Sequence, residues 1–151
     1  MGDGTDFEWK WRDPTHLEAH RHEFLRPVED VLNDLRSRAA ECRGEEGTPL
    51  HEEWELPYET GLGGLKEVSP DGSESFWAPR PGRTILSHLC RGERLPTRWI
   101  CLWGKWEDEA FIIHTLYPGR KAPREIHDPE ITPEELPAAI EFWRTHAIVV
   151  E

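Results

Sequence analysis

Two runs of β-branched and aromatic residues near the middle of the chain constrain its fold more than any other feature. Residues 97–103 and 110–117 each have the length and composition of a strand, and residues 104–109 connect them. Such side chains pack well on a pleated surface, and two such runs with a short connection favour an antiparallel hairpin. The sequence therefore predicts an antiparallel sheet, with one buried face, in the second half of the chain.

The remaining pattern predicts helices before and after that sheet. Apolar residues recur near the helical period in residues 14–43, where Pro27 divides two helices, and TPEE at 132–135 resembles a capping box. The 151 residues suit one core. We therefore predict an α+β fold in which N-terminal helices precede a curved antiparallel sheet and a C-terminal helix. The predicted single domain, 1–151, has a helical part at 14–43, a connection at 44–64, a sheet at 65–118 and a last helix at 132–145.

Shorter runs complete the predicted sheet. The turn sequence SPDG at 69–72 predicts a hairpin between residues 65–68 and residues 75–78. Further strands are predicted at 84–90 and 147–150, and one short strand within the connection at 53–56.

The cysteines and the N-terminal sequence bear on the compartment. Cys42, Cys90 and Cys101 have no spacing typical of a disulfide framework or a thiolate zinc site. The first residues lack the pattern of a signal peptide, and no apolar stretch approaches the length of a membrane span. We predict a cytoplasmic protein with no membrane partner and no cofactor.

Charge is distributed unevenly along the chain. Residues 80–124 contain nine basic and four acidic residues, so this stretch carries +5 and the rest of the chain −17 of the formal net charge of −12. One interpretation is an anion-binding face on an acidic body, in which Arg83, Arg91 and Arg120 bind phosphate. The other is that the basic strands pair with acidic helices of the same chain.

Two histidines in this basic stretch are candidates for acid and base chemistry. His88 lies among arginines, and His114 precedes Thr115 and Tyr117 at the end of a predicted strand. One imidazole can accept the proton of a ribose 2′-hydroxyl while another donates a proton to the leaving oxygen, without a metal ion. We therefore predict that His88, His114, Thr115 and Tyr117 are catalytic, although a hydrogen-bonded strand histidine would give the same pattern.

The sequences RPGR at 80–83, PTRWICLW at 96–103 and FIIHTLYP at 111–118 resemble the sheet region of the barnase, EndoU, colicin and RelE group of ribonuclease toxins. The resemblance covers the second half of the chain. It implies metal-independent ribonuclease activity on RNA, with His114, Thr115, Tyr117 and the flanking arginines in the site.

Other interpretations remain open. Trp106, in the predicted turn, is a candidate stacking platform for a base, whereas Trp99 and Trp103 are expected in the core with Cys101. His16 and His20 share a helix face and could bind a metal ion, but scattered surface histidines explain them as well. The chain could also be an acidic protein-binding module, such as an immunity or inhibitor protein, or a small-molecule enzyme with a pocket for an anionic ligand.

Overall fold

A computed structural model describes residues 6–80 and 83–150, without the side chains of His16 and Ala19. These residues form two compact units, each made of two stretches of chain. The first unit comprises Met1–Leu62 and Pro96–Arg120, and the second comprises Gly63–Leu95 and Lys121–Glu151. This division into units does not test the prediction of a single domain over residues 1–151, which stays a prediction.

Strands predominate over helices in the described residues. The helices are α1 (Pro14–His20), a 3-10 turn (Arg21–Glu23), α2 (Val28–Glu41) and α3 (Leu136–Thr145). The strands are β1 (Glu8–Trp11), β2 (Pro49–Glu55), β3 (Gly61–Gly63), β4 (Leu65–Glu67), β5 (Phe76–Pro79), β6 (Leu86–Arg91), β7 (Leu95–Thr97), β8 (Trp99–Glu107), β9 (Ala110–Pro118) and β10 (His146–Val150).

The first unit is built on a four-stranded sheet with the order β1-β9-β8-β2. β1 is parallel to β9, while the β9–β8 and β8–β2 pairs are antiparallel. Along β8, Ile100, Leu102 and Trp106 are buried in the core, and helix α2 contributes apolar residues at helical spacing: Val28, Val31, Leu32, Leu35 and Ala39. Each buried Val or Leu side chain of this set contributes roughly 1.5–3 kcal/mol, so α2 is held on this face of the sheet.

The predicted hairpin of β8 and β9 is present, but its connection is much shorter than the sequence suggested. β8 continues to Glu107, and the turn consists of Asp108 and Glu109. Asp108 has φ 52, a left-handed conformation that aspartate tolerates better than most residues. The residues predicted as a loop therefore belong mainly to the strand.

A β-bulge lies in the middle of this hairpin. Trp103 pairs with Thr115, whereas the next residue, Gly104, pairs with Ile113. His114 is consequently the extra residue on β9, and the alternation of side chains reverses across it. Ile113 and Leu116 both reach the core for this reason, whereas simple alternation along the strand would put His114 and Leu116 on one face.

The second unit is built on another four-stranded sheet, with the order β4-β10-β6-β5. β10 is parallel to β6, and the outer pairs are antiparallel. The predicted strand at 147–150 is confirmed as part of β10. Thr132 and Glu135 exchange the predicted capping-box hydrogen bonds, 3.2 Å in each direction, but α3 begins at Leu136 and not at residue 132.

The predicted α+β fold with one curved antiparallel sheet is wrong. Strand β1 precedes the helices, because the alternating aromatic residues at 8–11 pair with β9. Each large sheet contains a parallel pair. β4 and β5 are not a hairpin, since β10 and β6 lie between them, and the connection 44–64 contains the seven-residue strand β2.

Among the described residues, no helix is both long and apolar enough to cross a membrane.

Candidate functional site

The sheet of the first unit has a second face, opposite the α2 core, on which polar and aromatic side chains alternate with the core residues. Cross-strand register places His51, Trp103 and Thr115 in one row across β2, β8 and β9. The neighbouring row contains Glu53, Cys101 and Tyr117. Cys101 is fully buried. We call the other five residues of these two rows, together with His114, the polar face.

His114 is held beside Trp103 and Arg12. Its ring lies 4.9 Å from the Trp103 ring, centroid to centroid, at 67°. Arg12 follows β1, and its backbone N–H donates to the Ile113 carbonyl at 3.0 Å, which extends the parallel pairing and brings its guanidinium to His114. Arg12 Nη1 lies 3.3 Å from His114 Nδ1.

The hydrogen bond from Arg12 determines the protonation of this imidazole. A guanidinium can only donate, so Nδ1 accepts and the proton of the neutral ring is on Nε2. Nε2 is buried and has no hydrogen-bond partner among the described residues. Burial, and then the charges of Arg12 and Lys105, lower the pKa of His114 from its ordinary value. The ring is therefore neutral at neutral pH, as a general base must be.

Arg120 lies at the end of the same face. Its guanidinium carbon is 4.0 Å from the Trp99 ring centroid, and Nη2 is 2.7 Å from Glu53 Oε1. Glu53 raises the pKa of Arg120 further. The hydroxyl of Tyr117 is 3.4 Å from the Arg120 carbonyl. A fixed, partly exposed guanidinium of this kind presents donors suited to a phosphate or carboxylate group.

The structure thus gathers four of the predicted site residues, His114, Thr115, Tyr117 and Arg120, in the first unit. Sequence reasoning missed His51, Glu53, Arg12 and the exposure of Trp103. The alternation of β2 around the apolar positions Leu50 and Trp54 was the available signal for His51 and Glu53. Arg12 gave no comparable signal, because its place depends on the parallel pairing of β1.

Two expectations about tryptophans are wrong. Trp106 is not an exposed platform: its side chain is 1% exposed and its ring packs against Phe7 and Phe111 at 4.9 and 5.0 Å. Trp103, expected in the core, is 43% exposed, whereas Trp99 is half-buried. Alternation along β8 explains both results: the even-numbered side chains, such as Trp106, face α2, and the odd-numbered ones, such as Trp103, face away from it.

The other predicted site residues, His88, Arg83 and Arg91, belong to the second unit. His88 is buried in β6. Arg83 and Arg80 both pair with Glu125, at 3.5 and 2.9 Å. The Arg91 guanidinium lies 5.4 Å from the Phe76 ring centroid. Their convergence with His114 on one ligand stays a prediction.

Several arginines of the basic stretch form ion pairs within their own unit. Arg80 and Arg83 contact Glu125, Arg120 contacts Glu53, and Arg124 contacts Glu130 and Glu135. For these arginines, the pairs favour the interpretation in which the basic stretch pairs with acidic residues of the same chain.

No group of three or more His, Cys, Asp or Glu in the described part of the chain is arranged to hold a metal ion. The side chain of His16, one of the two residues considered as metal ligands, lies outside that description. His20 Nδ1 is 3.3 Å from Glu23 Oε1.

Comparison with known proteins gives no matching family model, no similar curated protein and no similar solved structure. The ribonuclease toxin resemblance therefore stays a prediction.

Proposed function

We propose that the polar face binds single-stranded RNA and cleaves it by internal attack of the ribose 2′-hydroxyl, without a metal ion. One observation carries this proposal: His51 and His114 flank the exposed ring of Trp103 on one sheet face, at centroid distances of 6.3 and 4.9 Å. An aromatic platform between two imidazoles provides a place for a base and a proton acceptor and donor on either side of it.

Binding would combine stacking with phosphate contacts. A base stacked on Trp103 contributes roughly 1–3 kcal/mol. Arg12 and Arg120 would exchange their present contacts with His114 and Glu53 for the flanking phosphates. Lys105, the cross-strand neighbour of Ile112, is a further cation on the same sheet. The first unit carries ten basic and nineteen acidic residues, so we expect low overall affinity and a strong dependence on these few cations.

The cleavage step follows from the protonation of His114. When a phosphate arrives, Arg12 transfers its hydrogen bond from His114 Nδ1 to a phosphate oxygen and frees the Nδ1 lone pair. Nδ1 then accepts the proton of the 2′-hydroxyl as its oxygen attacks phosphorus. The bond from phosphorus to the 5′-oxygen breaks, and protonated His51 donates the proton to that oxygen. The products are a 2′,3′-cyclic phosphate and a 5′-hydroxyl.

Thr115 and Tyr117 are assigned positioning roles. Thr115 is the cross-strand neighbour of Trp103, and Tyr117 is the neighbour of Cys101. Their hydroxyls can donate to phosphate oxygens on the same face, which stabilises charge as it develops there.

The test uses a DNA oligonucleotide with a single ribonucleotide, incubated with the protein in EDTA. Cleavage is expected 3′ of the ribose and nowhere else, with a cyclic phosphate product. His51→Ala and His114→Ala should each lower the rate at least about 100-fold, as loss of a general acid or base does. His22→Ala is the control, because His22 is exposed in the 3-10 turn of the same unit and outside the polar face.

Three results would contradict the proposal. One is an absence of ribose-dependent cleavage by the wild-type protein. Another is cleavage that requires an added divalent metal ion. The third is full activity in a folded protein that carries both histidine changes.

A second candidate function rests on the acidic charge of the first unit. Helix α2 exposes Glu29, Asp30, Asp34 and Glu41, which suits a basic protein partner, as for an immunity or inhibitor protein. Reversal of Asp30 to Lys should then slow association with a basic partner, while His51→Ala leaves it unchanged.

We also propose a cytoplasmic location, since the exposed thiol of Cys42 is compatible with a reducing compartment.

A further inference from the structure

The second unit contains a cavity of about 250 Å³ that the proposed RNA chemistry does not use. Its walls combine apolar rings and chains with a few polar groups: Ser75, Trp77, His88, Ile140, Trp143 and Arg144. Small-molecule sites share this composition, in which an apolar lining surrounds a few convergent polar groups.

His88 is fixed in this wall by contacts at both ring nitrogens. Nδ1 lies 2.8 Å from the carbonyl oxygen of His146, at the start of β10. Nε2 lies 2.6 Å from Ser75 Oγ, in the loop before β5. A carbonyl can only accept, so Nδ1 carries the proton of the neutral ring. Nε2 therefore has the lone pair and accepts the Ser75 hydroxyl proton.

The register of β5 and β6 completes this arrangement. Trp77 is the cross-strand partner of His88, and the two rings stack at 4.7 Å and 17°. Trp77 is itself held edge-on by His127 at 5.4 Å. The electron-rich face of the indole would stabilise the imidazolium that forms when His88 takes a proton.

We infer that Ser75 and His88 form a nucleophile and base pair, and that the second unit hydrolyses esters with an apolar acyl group. The three geometric requirements for an activated serine are a base within hydrogen-bonding distance, a third group that fixes the tautomer of that base, and space for substrate beside the hydroxyl. His88 is the base within hydrogen-bonding distance of Ser75. The His146 carbonyl fixes the tautomer of His88, and the cavity provides space for substrate beside the Ser75 hydroxyl.

The lining also indicates the class of substrate. Trp143 is 3% exposed and anchored by a hydrogen bond of 3.0 Å from its Nε1 to the Arg124 carbonyl, so the apolar wall is rigid. Ile140 and Trp77 are about half exposed and form a mouth. Arg144 adds a positive charge, although Glu141 contacts it at 2.7 Å. The site therefore suits an ester with a flat or branched apolar acyl group.

In the reaction, Ser75 Oγ attacks the carbonyl carbon of the ester and its proton passes to His88 Nε2. The bond from carbon to the leaving oxygen breaks, and Nε2 returns the proton to that oxygen, so the alcohol departs. Water then attacks the acyl carbon and gives a proton to Nε2. The bond from carbon to Ser75 Oγ breaks, Nε2 returns that proton to Oγ, and the carboxylic acid leaves. The net change is ester plus water to acid plus alcohol, with no other reactant.

The test measures labelling of the 151-residue protein by an alkyl fluorophosphonate, followed by intact mass and peptide mapping. Oγ–P bond formation with loss of fluoride should give one adduct, located on Ser75. Ser75→Ala should abolish the adduct, while Ser73→Ala, an exposed serine of the same loop, should retain it. With p-nitrophenyl butyrate, wild type and Ser73→Ala should release nitrophenol at least about 100-fold faster than Ser75→Ala.

His88→Gln tests the base, and its circular dichroism shows whether it folds. A folded His88→Gln protein should label at least about 100-fold more slowly than wild type. If that variant does not fold, the comparison of Ser75→Ala with Ser73→Ala still decides the proposal. No adduct on the wild-type protein, an adduct on another residue, or equal ester hydrolysis by Ser75→Ala would overturn it.

Discussion

Gly104→Ala is expected to destabilise the first unit strongly, because this position lies opposite the bulge that displaces His114. A Cβ atom there would lie 2.1 Å from the Ile112 carbonyl oxygen and 2.7 Å from the Phe111 ring. The ring can shift, but Ile112 lies on β9 in register with Lys10 of β1, so moving its carbonyl disturbs the sheet. The required movement is about 1 Å. Overpacking costs roughly 1–3 kcal/mol and a disturbed ladder hydrogen bond about 1 kcal/mol more, for a loss of about 2–4 kcal/mol.

Urea unfolding followed by tryptophan fluorescence measures this loss. With a typical dependence of about 1–3 kcal/mol per molar urea, the midpoint should fall by about 1 M or more. Gly64→Ala, in the second unit, is the control for the substitution itself, since a Cβ there meets nothing within 4 Å, and it should change stability by no more than about 0.5 kcal/mol. Equal midpoints for Gly104→Ala and wild type would refute the close approach of the two strands at the bulge.

Three further predictions follow from burial and charge. In urea titrations, Trp106→Ala should lower the free energy of unfolding by about 3–5 kcal/mol, and Trp103→Ala should lower it far less. Trp103→Ala should instead weaken RNA binding, measured by fluorescence anisotropy. Because the pKa of His114 is lowered in the folded state, the unfolded chain binds more protons below about pH 6.5. The free energy of unfolding should therefore fall as the pH decreases from about 6.5 through the pKa of His114 in the folded protein. Urea unfolding measured at several pH values should show that His114→Gln removes this contribution. Burial, and then the hydrogen bond to Asp34, raise the pKa of Tyr58 to about 12, and Asp34→Asn should lower it in a tyrosinate absorbance titration.

Local patterns in the sequence predicted the elements but not their partners. The strands of the β8–β9 hairpin, the capping box at Thr132 and the closing strand depend on neighbouring residues, and the structure contains them. The parallel pairing of β1 with β9 and the place of β10 between β4 and β6 depend on residues far apart in sequence. No local propensity encodes such pairings, so the predicted fold class was wrong.

The candidate site shows the same division. His114 was predicted from its own strand. Arg12, which follows β1, and His51 of β2 could be placed only from the register of the whole sheet. The bulge at His114 also defeated simple alternation, since one extra residue exchanges the two faces. Trp106 was misplaced for a related reason: a Gly and two charged residues suggested a loop where the strand continues to Glu107.

The most direct test of the polar face is a nuclear magnetic resonance titration with a single-stranded RNA whose 2′-hydroxyls are methylated, so that it binds without cleavage. The indole N–H signal of Trp103, assigned with Trp103→Phe, and the imidazole signals of His51 and His114 should shift together and saturate at one RNA concentration. The signal of buried Trp106 should move little. Shifts confined to Trp77 and Trp143 of the second unit, or no shift of Trp103 at saturating RNA and low salt, would contradict the assignment of RNA to this face.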